Sequence, residues 1–242
     1  MKLKQLALPL LVLLSFYTAK AQTSIETLSE AFDQTIEKEN LNINNGVYHT
    51  NIFRISNNKH QYYPSEKFSK GTINYEGQDY FNRSVKYDIY LDNLILQPIE
   101  SEVVSFNLTP QKTGCFKING RKFIYLNNLD FPMSTIKTGY YEENICNSNF
   151  TFYIRHHRDK REVIKDVKIL IEFDDNYEYF LKKEGAFHKI SSRKDVIKIF
   201  PQHKRKINDF YLASRQLEKE NLPLFYEKLF SYLNTVIDHN LQ

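Results

Sequence analysis

The chain has 242 residues, of which 41% are hydrophobic, 26% charged and 14% aromatic, with 18 Phe, 17 Tyr and no Trp. This apolar content suffices for an ordinary core and excludes wholesale disorder and a coiled-coil rod. The formal charge is +4, but removal of residues 1–21, which hold three lysines and no acid, leaves 30 basic and 29 acidic side chains. We therefore expect no nucleic-acid partner.

The first 21 residues have the organisation of a secretory signal peptide. Two lysines precede an apolar stretch over 6–16, and small residues follow at the positions that a signal peptidase reads. The stretch is too short to cross a hydrocarbon layer of ~30 Å. We predict cleavage between Ala21 and Gln22, and no transmembrane span in the rest of the chain.

The pattern over residues 24–40 predicts a short helix. From residue 46 the apolar residues recur with a period of two, which is typical of strands. Strands are predicted near 73–75, 85–91, 94–96, 104–108, 150–154, 167–173 and 177–181. Asn119-Gly120 predicts a tight type I′ turn, because both residues readily adopt a positive φ. Turns are also predicted at 174–176, where acids favour local backbone bonding, and around 156–161.

A helical pattern begins near Ser192, which is placed to cap a short helix that Pro201 ends. Ile207, Phe210 and Tyr211 share one face of a second predicted helix. The third carries an apolar stripe behind Pro223, formed by Phe225, Leu229, Tyr232 and Val236.

Short strands without helices between them favour antiparallel connections. The predicted fold is α+β: an antiparallel β-rich body over about 46–190, with a short N-terminal helix and a C-terminal helical appendix over about 192–239. The body is a curved sheet, a sandwich or a partly open barrel. No linker divides residues 22–242, so we predict a single mature domain after the signal peptide of residues 1–21.

Several short motifs resemble those of uncharacterised exported proteins of the Bacteroidota. They are KGTINY at 70–75, YFN at 80–82, VKYDIYLD at 85–92, YFLKKEG at 179–185 and ISSRKD at 190–195. The likeness spans residues 46–220. That family has no established activity, so the resemblance implies export and a cell-envelope setting and nothing sharper.

Neither the GxSxG motif of nucleophilic catalysis nor the HExxH motif of zinc catalysis occurs in the sequence. His156 and Asp159 are weak candidates for metal ligands, but the flanking cations oppose a bound cation. Asp88 and Asp92 lie roughly 13 Å apart in an extended strand, which is too far for a glycosidase pair. We expect structural roles for these residues, and no metal or other cofactor.

Tyrosines are abundant in the predicted β region. On an exposed face they stack on sugars or anchor a protein partner, whereas in a core they replace the missing Trp. Core packing is the favoured reading for the group as a whole. Tyr80, Tyr90, Tyr62 and Tyr63 are the binding candidates, and Tyr80 and Tyr90 are expected to be the most exposed.

The only two cysteines, Cys115 and Cys146, are 31 positions apart. This spacing fits neither a CxxC redox pair nor a zinc site. In an oxidising compartment they could form one disulfide worth roughly 3–4 kcal/mol. The sequence leaves that bridge and two separate thiols equally open.

These features together predict an exported cell-envelope protein, periplasmic or associated with the outer membrane. Its predicted role is a non-enzymatic interaction or scaffold module, with an envelope protein or a glycan as its partner. Two alternatives stay open. One is a carrier of a small ligand or lipid in an aromatic-lined β cavity, and the other is a hydrolase whose acids or histidines follow no known motif.

Overall fold

The computed structural model describes residues 27, 42–56, 59–98, 103–131 and 134–239. The predicted signal peptide, with its cleavage site between Ala21 and Gln22, lies outside these residues. So does the predicted N-terminal helix, apart from Thr27. The elements from Ile43 onward belong to one compact unit.

The described strands form one open antiparallel sheet, which confirms the α+β class and the antiparallel β-rich body. Its strands run in the order β1-β6-β5-β4-β3-β7-β8-β9-β10-β11-β12, and β2 pairs separately with β4. Their bounds are β1 Val47–Tyr48, β2 Tyr62–Tyr63, β3 Ser69–Tyr75, β4 Gln78–Asp88, β5 Asn93–Gln97, β6 Phe106–Asn107, β7 Thr113–Ile118, β8 Arg121–Leu126, β9 Gly139–Cys146, β10 Thr151–Lys165, β11 Lys168–Lys183 and β12 Ala186–Ile190.

The turn between β7 and β8 is the one that the sequence predicts most sharply. β7 ends at Ile118 and β8 begins at Arg121. Asn119 and Gly120 have φ values of 49° and 76°, as a type I′ hairpin turn requires. The Asn-Gly prediction is therefore confirmed.

Two predicted turns are wrong, because residues 156–161 and 174–176 lie inside the long hairpin of β10 and β11. Opposite charges pair across these strands, with Arg161 Nη2 2.6 Å from Glu172 and Arg158 Nη2 2.9 Å from Asp175. Such pairs stabilise strand pairing and give the aspartates partners that a turn would otherwise supply. The chain instead reverses between Lys165 and Lys168.

Four helices follow the sheet and confirm the helical appendix. They are α1 Arg193–Ile199, α2 Lys204–Ala213, α3 Arg215–Glu220 and α4 Leu222–His239. Three of them were predicted, and α3 is the additional one. Short 3-10 turns occupy Asn42–Asn44, Pro110–Lys112, Asn128–Asp130 and Pro201–His203. None of the described helices is long and apolar enough to span a membrane.

The helices bury most of their apolar stripes against one face of the sheet, but Tyr232 of the predicted α4 stripe is 37% exposed. Phe152, Ile154 and Leu181 of the strands pack in one cluster with Phe225 and Leu229 of α4, and each is at most 1% exposed. Burial of a large apolar side chain contributes about 1.5–3 kcal/mol, so this cluster fixes α4 on the sheet. That placement creates the cleft described below.

Most aromatic side chains of the β body form a core. The ring of Tyr87 lies 5.2 Å from Phe116 and 5.7 Å from Tyr140, and Phe116 stacks on Phe123 at 4.9 Å. All four are at most 1% exposed. Core packing is thus the correct interpretation for these residues.

Candidate functional site

A cleft of about 340 Å³ lies where the N-terminal end of α4 meets the sheet. The strands contribute aromatic and charged side chains, and the helix and the residue before it contribute the opposite wall. The lining residues are Tyr63, Arg121, Glu142, Ile154, His156, Tyr177, Asn221, Pro223, Leu224 and Glu227.

Four charged or titratable side chains of this cleft are linked in one network. Glu142 Oε2 lies 2.7 Å from His156 Nε2, and Glu142 Oε1 accepts a hydrogen bond from Arg121 Nη1 at 2.8 Å. The same Nη1 donates to Glu227 Oε2 at 3.1 Å. Only 2% of the Glu142 side chain is exposed, whereas Arg121 is 40% exposed.

The network keeps Glu142 ionised. Burial alone would raise the pKa of Glu142, but the hydrogen bond and charge of His156, together with Asn144 and Arg121, outweigh burial and lower it. Asn144 Nδ2 donates to Glu142 Oε1 at 2.7 Å. A buried carboxylate held in this way is a fixed negative charge in the wall of the cleft.

Sheet pairing explains how these residues meet. Glu142 of β9 pairs with Ile154 of β10 and with Phe123 of β8. His156 and Arg121 each lie two residues from those partners, so both side chains point to the same face as Glu142. Glu227 reaches them from α4, which the apolar cluster holds over that face.

Three aromatic rings form a row in the cleft. The His156 ring lies 4.9 Å from Tyr63 and 5.4 Å from Tyr177. Both tyrosines are half-buried. Burial raises the pKa of Tyr63 to about 12, so its hydroxyl stays protonated at neutral pH. The row offers ring surface and hydroxyl groups to a ligand.

Of the four tyrosine candidates, the structure brings only Tyr63 into the cleft. Tyr62 is 2% exposed, and the Nζ of Lys86 lies 4.1 Å from its ring centroid. Tyr90 lies in the turn before β5, half-buried against Phe53 and Phe173 at ring distances of 5.6 and 4.9 Å.

The expectation that Tyr80 is exposed is wrong, because this residue is only 2% exposed. A bulge interrupts the pairing of β3 with β4, and Asn82 within it has a φ of 54°. The extra residue shifts the alternation, so Tyr80 faces the core together with Arg83 and Val85.

His156 and Asp159 do not form a metal site in the described part of the chain. They lie three residues apart in β10 and therefore on opposite faces of the sheet. His156 contacts Glu142, whereas Asp159 accepts a hydrogen bond from Asn176 at 2.8 Å. Among the described residues no group of three or more His, Cys, Asp or Glu side chains could hold a metal ion.

Cys115 and Cys146 are both free thiols. Cys115 lies on β7 and Cys146 at the end of β9, with β8 between these strands. Across the sheet, two strand spacings separate their Cα atoms by about 9.5 Å. Along the strands the two are also offset, because Tyr141 is the β9 residue level with Cys115 and Cys146 lies five residues beyond it. A disulfide needs Cα atoms within ~7 Å, so this sheet excludes the bridge that the sequence left open.

Sequence reasoning missed Arg121, Glu142, Tyr177 and Glu227 as site residues. Arg121 and Glu142 are 21 positions apart, and Arg121 and Glu227 are 106 apart. No local motif joins them. The Asn-Gly turn was a partial signal, because it places Arg121 at the start of a strand.

Comparison of the chain with protein-family models, curated proteins and solved structures finds no match. The chemistry of the cleft is therefore the basis for a functional assignment.

Proposed function

We propose that this protein is an exported cell-envelope module that binds a glycan in the cleft between α4 and the sheet. The observation that carries the proposal is the row of Tyr63, His156 and Tyr177 beside the Arg121 side chain, which is 40% exposed. The proposal of export rests on residues 1–21 and on the resemblance to exported proteins.

The lining of the cleft matches the chemistry of a sugar. A sugar ring has an apolar face of C–H groups, which packs on aromatic rings, and a rim of hydroxyls, which hydrogen-bond to polar side chains. Tyr63 and Tyr177 supply the rings. Arg121 has five N–H donors, and only those of Nη1 serve the two glutamates in the network, so others are available to hydroxyl oxygens.

The combined size of three neighbouring clefts favours an oligosaccharide over a single sugar. Two further clefts, of about 450 and 400 Å³, share Tyr177 with the first one. Their polar lining includes Asp175, Asn176 and Glu178. Tyr177 is then the central contact of an extended ligand.

Hydrolysis is the weaker alternative at this site. Glu142 and Glu227 both contact Arg121 Nη1, at 2.8 and 3.1 Å, so their oxygens lie within about 6 Å of each other, as in some glycosidases. A general acid needs a raised pKa, however, and the pKa of Glu142 is lowered. Arg121 also compensates both charges, which favours binding over acid catalysis.

The carrier alternative has less support. Its apolar ligand would need aromatic side chains that line a cavity. The buried rings of Tyr87, Phe116, Phe123 and Tyr140 instead contact one another at 4.9 to 5.7 Å.

The test is a binding titration of the chain from Gln22 onward against oligosaccharides of the bacterial envelope, namely peptidoglycan fragments and lipopolysaccharide cores. We expect one of these to bind, and Tyr177→Ala to weaken binding by roughly ten-fold or more, since stacking contributes about 1–1.5 kcal/mol with further loss of contact area. Tyr48→Ala is the matched control, because Tyr48 is 70% exposed on β1 and does not line the cleft.

Three results would overturn the proposal. The first is that no envelope oligosaccharide binds, and the second is that Tyr177→Ala binds as the parent chain does. The third is that the parent chain shortens the bound oligosaccharide, which would identify a hydrolase.

A further inference from the structure

The far end of the β10–β11 hairpin exposes an unusual amount of apolar surface. Ile164, Val167 and Ile169 are 79%, 98% and 61% exposed. Ile164 pairs directly with Ile169, so their side chains are neighbours on one face. Residues 164–169 are called the hairpin tip here. The hairpin first enters the core at Ile171 and Phe173, which are 9% and 2% exposed.

The turn of the hairpin tip is strained for its sequence. Asp166 and Val167 have φ values of 49° and 64°. A two-residue turn of this kind favours Asn-Gly, and a β-branched residue such as valine is unfavourable at a positive φ. Val167 is almost fully exposed, so packing of its side chain within the fold does not compensate for this strain. We take a strained, exposed apolar residue as a sign of a contact outside the chain.

Two lysines flank the turn of the hairpin tip. Lys165 and Lys168 pair across the strands, on the face opposite Ile164 and Ile169. Like charges placed opposite each other are unfavourable in a hairpin. Lys165 Nζ is 3.1 Å from Glu172 Oε1 and donates to Ser56 Oγ at 2.7 Å, whereas Lys168 is exposed. Glu172 compensates the charge of Lys165, and an anionic surface would compensate that of the exposed Lys168.

We propose that the hairpin tip inserts Ile164, Val167 and Ile169 into the interface of an anionic phospholipid bilayer, with Lys168 at the headgroup phosphates. Exposed apolar side chains next to a basic one are the pattern of peripheral membrane anchors. A protein partner fits less well, because a specific interface buries about 800 Å² per partner and three side chains at a convex tip offer much less. The attachment is separate from the glycan cleft.

Vesicle flotation tests the proposal on the chain from Gln22 onward. We expect the protein to float with vesicles of phosphatidylglycerol and phosphatidylcholine in equal amounts, and weakly with phosphatidylcholine alone. Combined Ile164→Ser, Val167→Ser and Ile169→Ser should reduce flotation by roughly five-fold or more, and Lys168→Gln by about as much on the anionic vesicles.

Two further variants separate lipid contact from folding. Val167→Gly removes the apolar side chain and relaxes the turn, so it should lower flotation while keeping the circular dichroism of the parent chain. Leu212→Ser is the matched control, since Leu212 is 72% exposed on α2, and it should float as the parent chain does.

The proposal fails if the parent chain does not float with anionic vesicles, or if the triple serine variant floats equally well. It also fails if the parent chain self-associates in gel filtration without lipid and the serine variant does not, because the tip then binds a second copy. Oligosaccharide titrations of the same variants should match the parent chain, which keeps this test independent of the cleft.

Discussion

The carboxylate of Asp92 occupies the space beside Gly139 that a side chain would need. A Cβ atom at Gly139 would overlap Oδ2 of Asp92, and Gly139 has a φ of 149°. Asp92 cannot easily move, because it accepts a hydrogen bond from Tyr87 Oη at 2.6 Å and another from the Tyr140 N–H at 3.2 Å. This contact joins the β4–β5 turn to the start of β9, the strand that carries Glu142.

Gly139→Ala should therefore be strongly destabilising. We expect a loss of about 3 kcal/mol in the free energy of unfolding, from overlap and from the broken hydrogen bonds of a buried carboxylate. Urea denaturation followed by circular dichroism measures it. Gly120→Ala is the control: its φ is 76° but no atom lies near its Cβ position, so it should cost only about 1 kcal/mol. Equal losses in the two variants would show that backbone strain, and not Asp92, accounts for the effect.

Asp88 should make the protein less stable as the pH rises from about 4 to 6. Burial raises its pKa from 3.8 to about 6, against the backbone hydrogen bonds of Leu91 and Tyr90, which lower it. The folded state thus binds the proton more tightly than the unfolded state. The resulting stabilisation is complete below the pKa that Asp88 has in the unfolded state. It is lost as the pH rises through the pKa that Asp88 has in the folded state.

Asp88→Asn removes this titration. The amide oxygen can still accept from the Tyr90 and Leu91 N–H groups, as Oδ1 does at 3.0 and 2.9 Å. We expect the variant to be more stable than the parent chain at pH 7, by an amount on the order of 2–3 kcal/mol, and to match it near pH 4. Unfolding free energies measured in urea across this pH range test the prediction. A variant that is less stable at pH 7 would contradict it.

Glu142→Gln should weaken both the fold and the site. The variant leaves Arg121 and His156 without their buried carboxylate, and breaking a buried pair costs about 3 kcal/mol. Because the pKa of Glu142 is lowered, its stabilisation is present above the unfolded pKa and is lost as the pH falls through the folded one, so the variant and the parent chain should converge in acid.

Glu143→Gln is the matched control for Glu142→Gln. Glu143 is the next residue of β9, points to the other face, and pairs with the 40% exposed Lys122 at 2.5 Å. We expect a loss of less than about 1 kcal/mol and unchanged oligosaccharide affinity. Differential scanning calorimetry and the binding titration distinguish the two variants. Equal effects would argue against the cleft network.

The two cysteines should react as separate thiols. Cys146 is exposed and Cys115 is half-buried, and burial also raises the pKa of the Cys115 thiol. Since thiolates are the reactive species, a disulfide reagent should modify Cys146 quickly and Cys115 slowly at pH 8. In denaturant both cysteines should react quickly. An intact-mass measurement that finds an internal disulfide in the native protein would contradict the strand order.

The sequence predicted the features that depend on nearby residues. Asn119-Gly120 forms its turn because φ preferences act within a dipeptide, and Pro201 ends α1 because it lacks an N–H group. Phe225, Leu229 and Val236 are buried on α4 because the helical period brings them to one face. The antiparallel body and helical appendix follow from such periods.

Local preferences failed where distant residues compete with them. Asp174 and Asp175 favour a turn by themselves, but Arg161 and Arg158 across the hairpin give them partners within a strand. A single bulge at Asn82 reverses the facing of Tyr80, and no alternation pattern shows where a bulge falls.

By itself, then, the sequence determined the class of the fold, its sharpest turn and its helical stripes, and it supplies the prediction of export. Only the tertiary structure decided that Arg121, Glu142, His156 and Glu227 meet, and that Cys115 and Cys146 do not. The physical reason is strand register and helix docking: contacts between residues 21 and 106 positions apart depend on how whole elements pack.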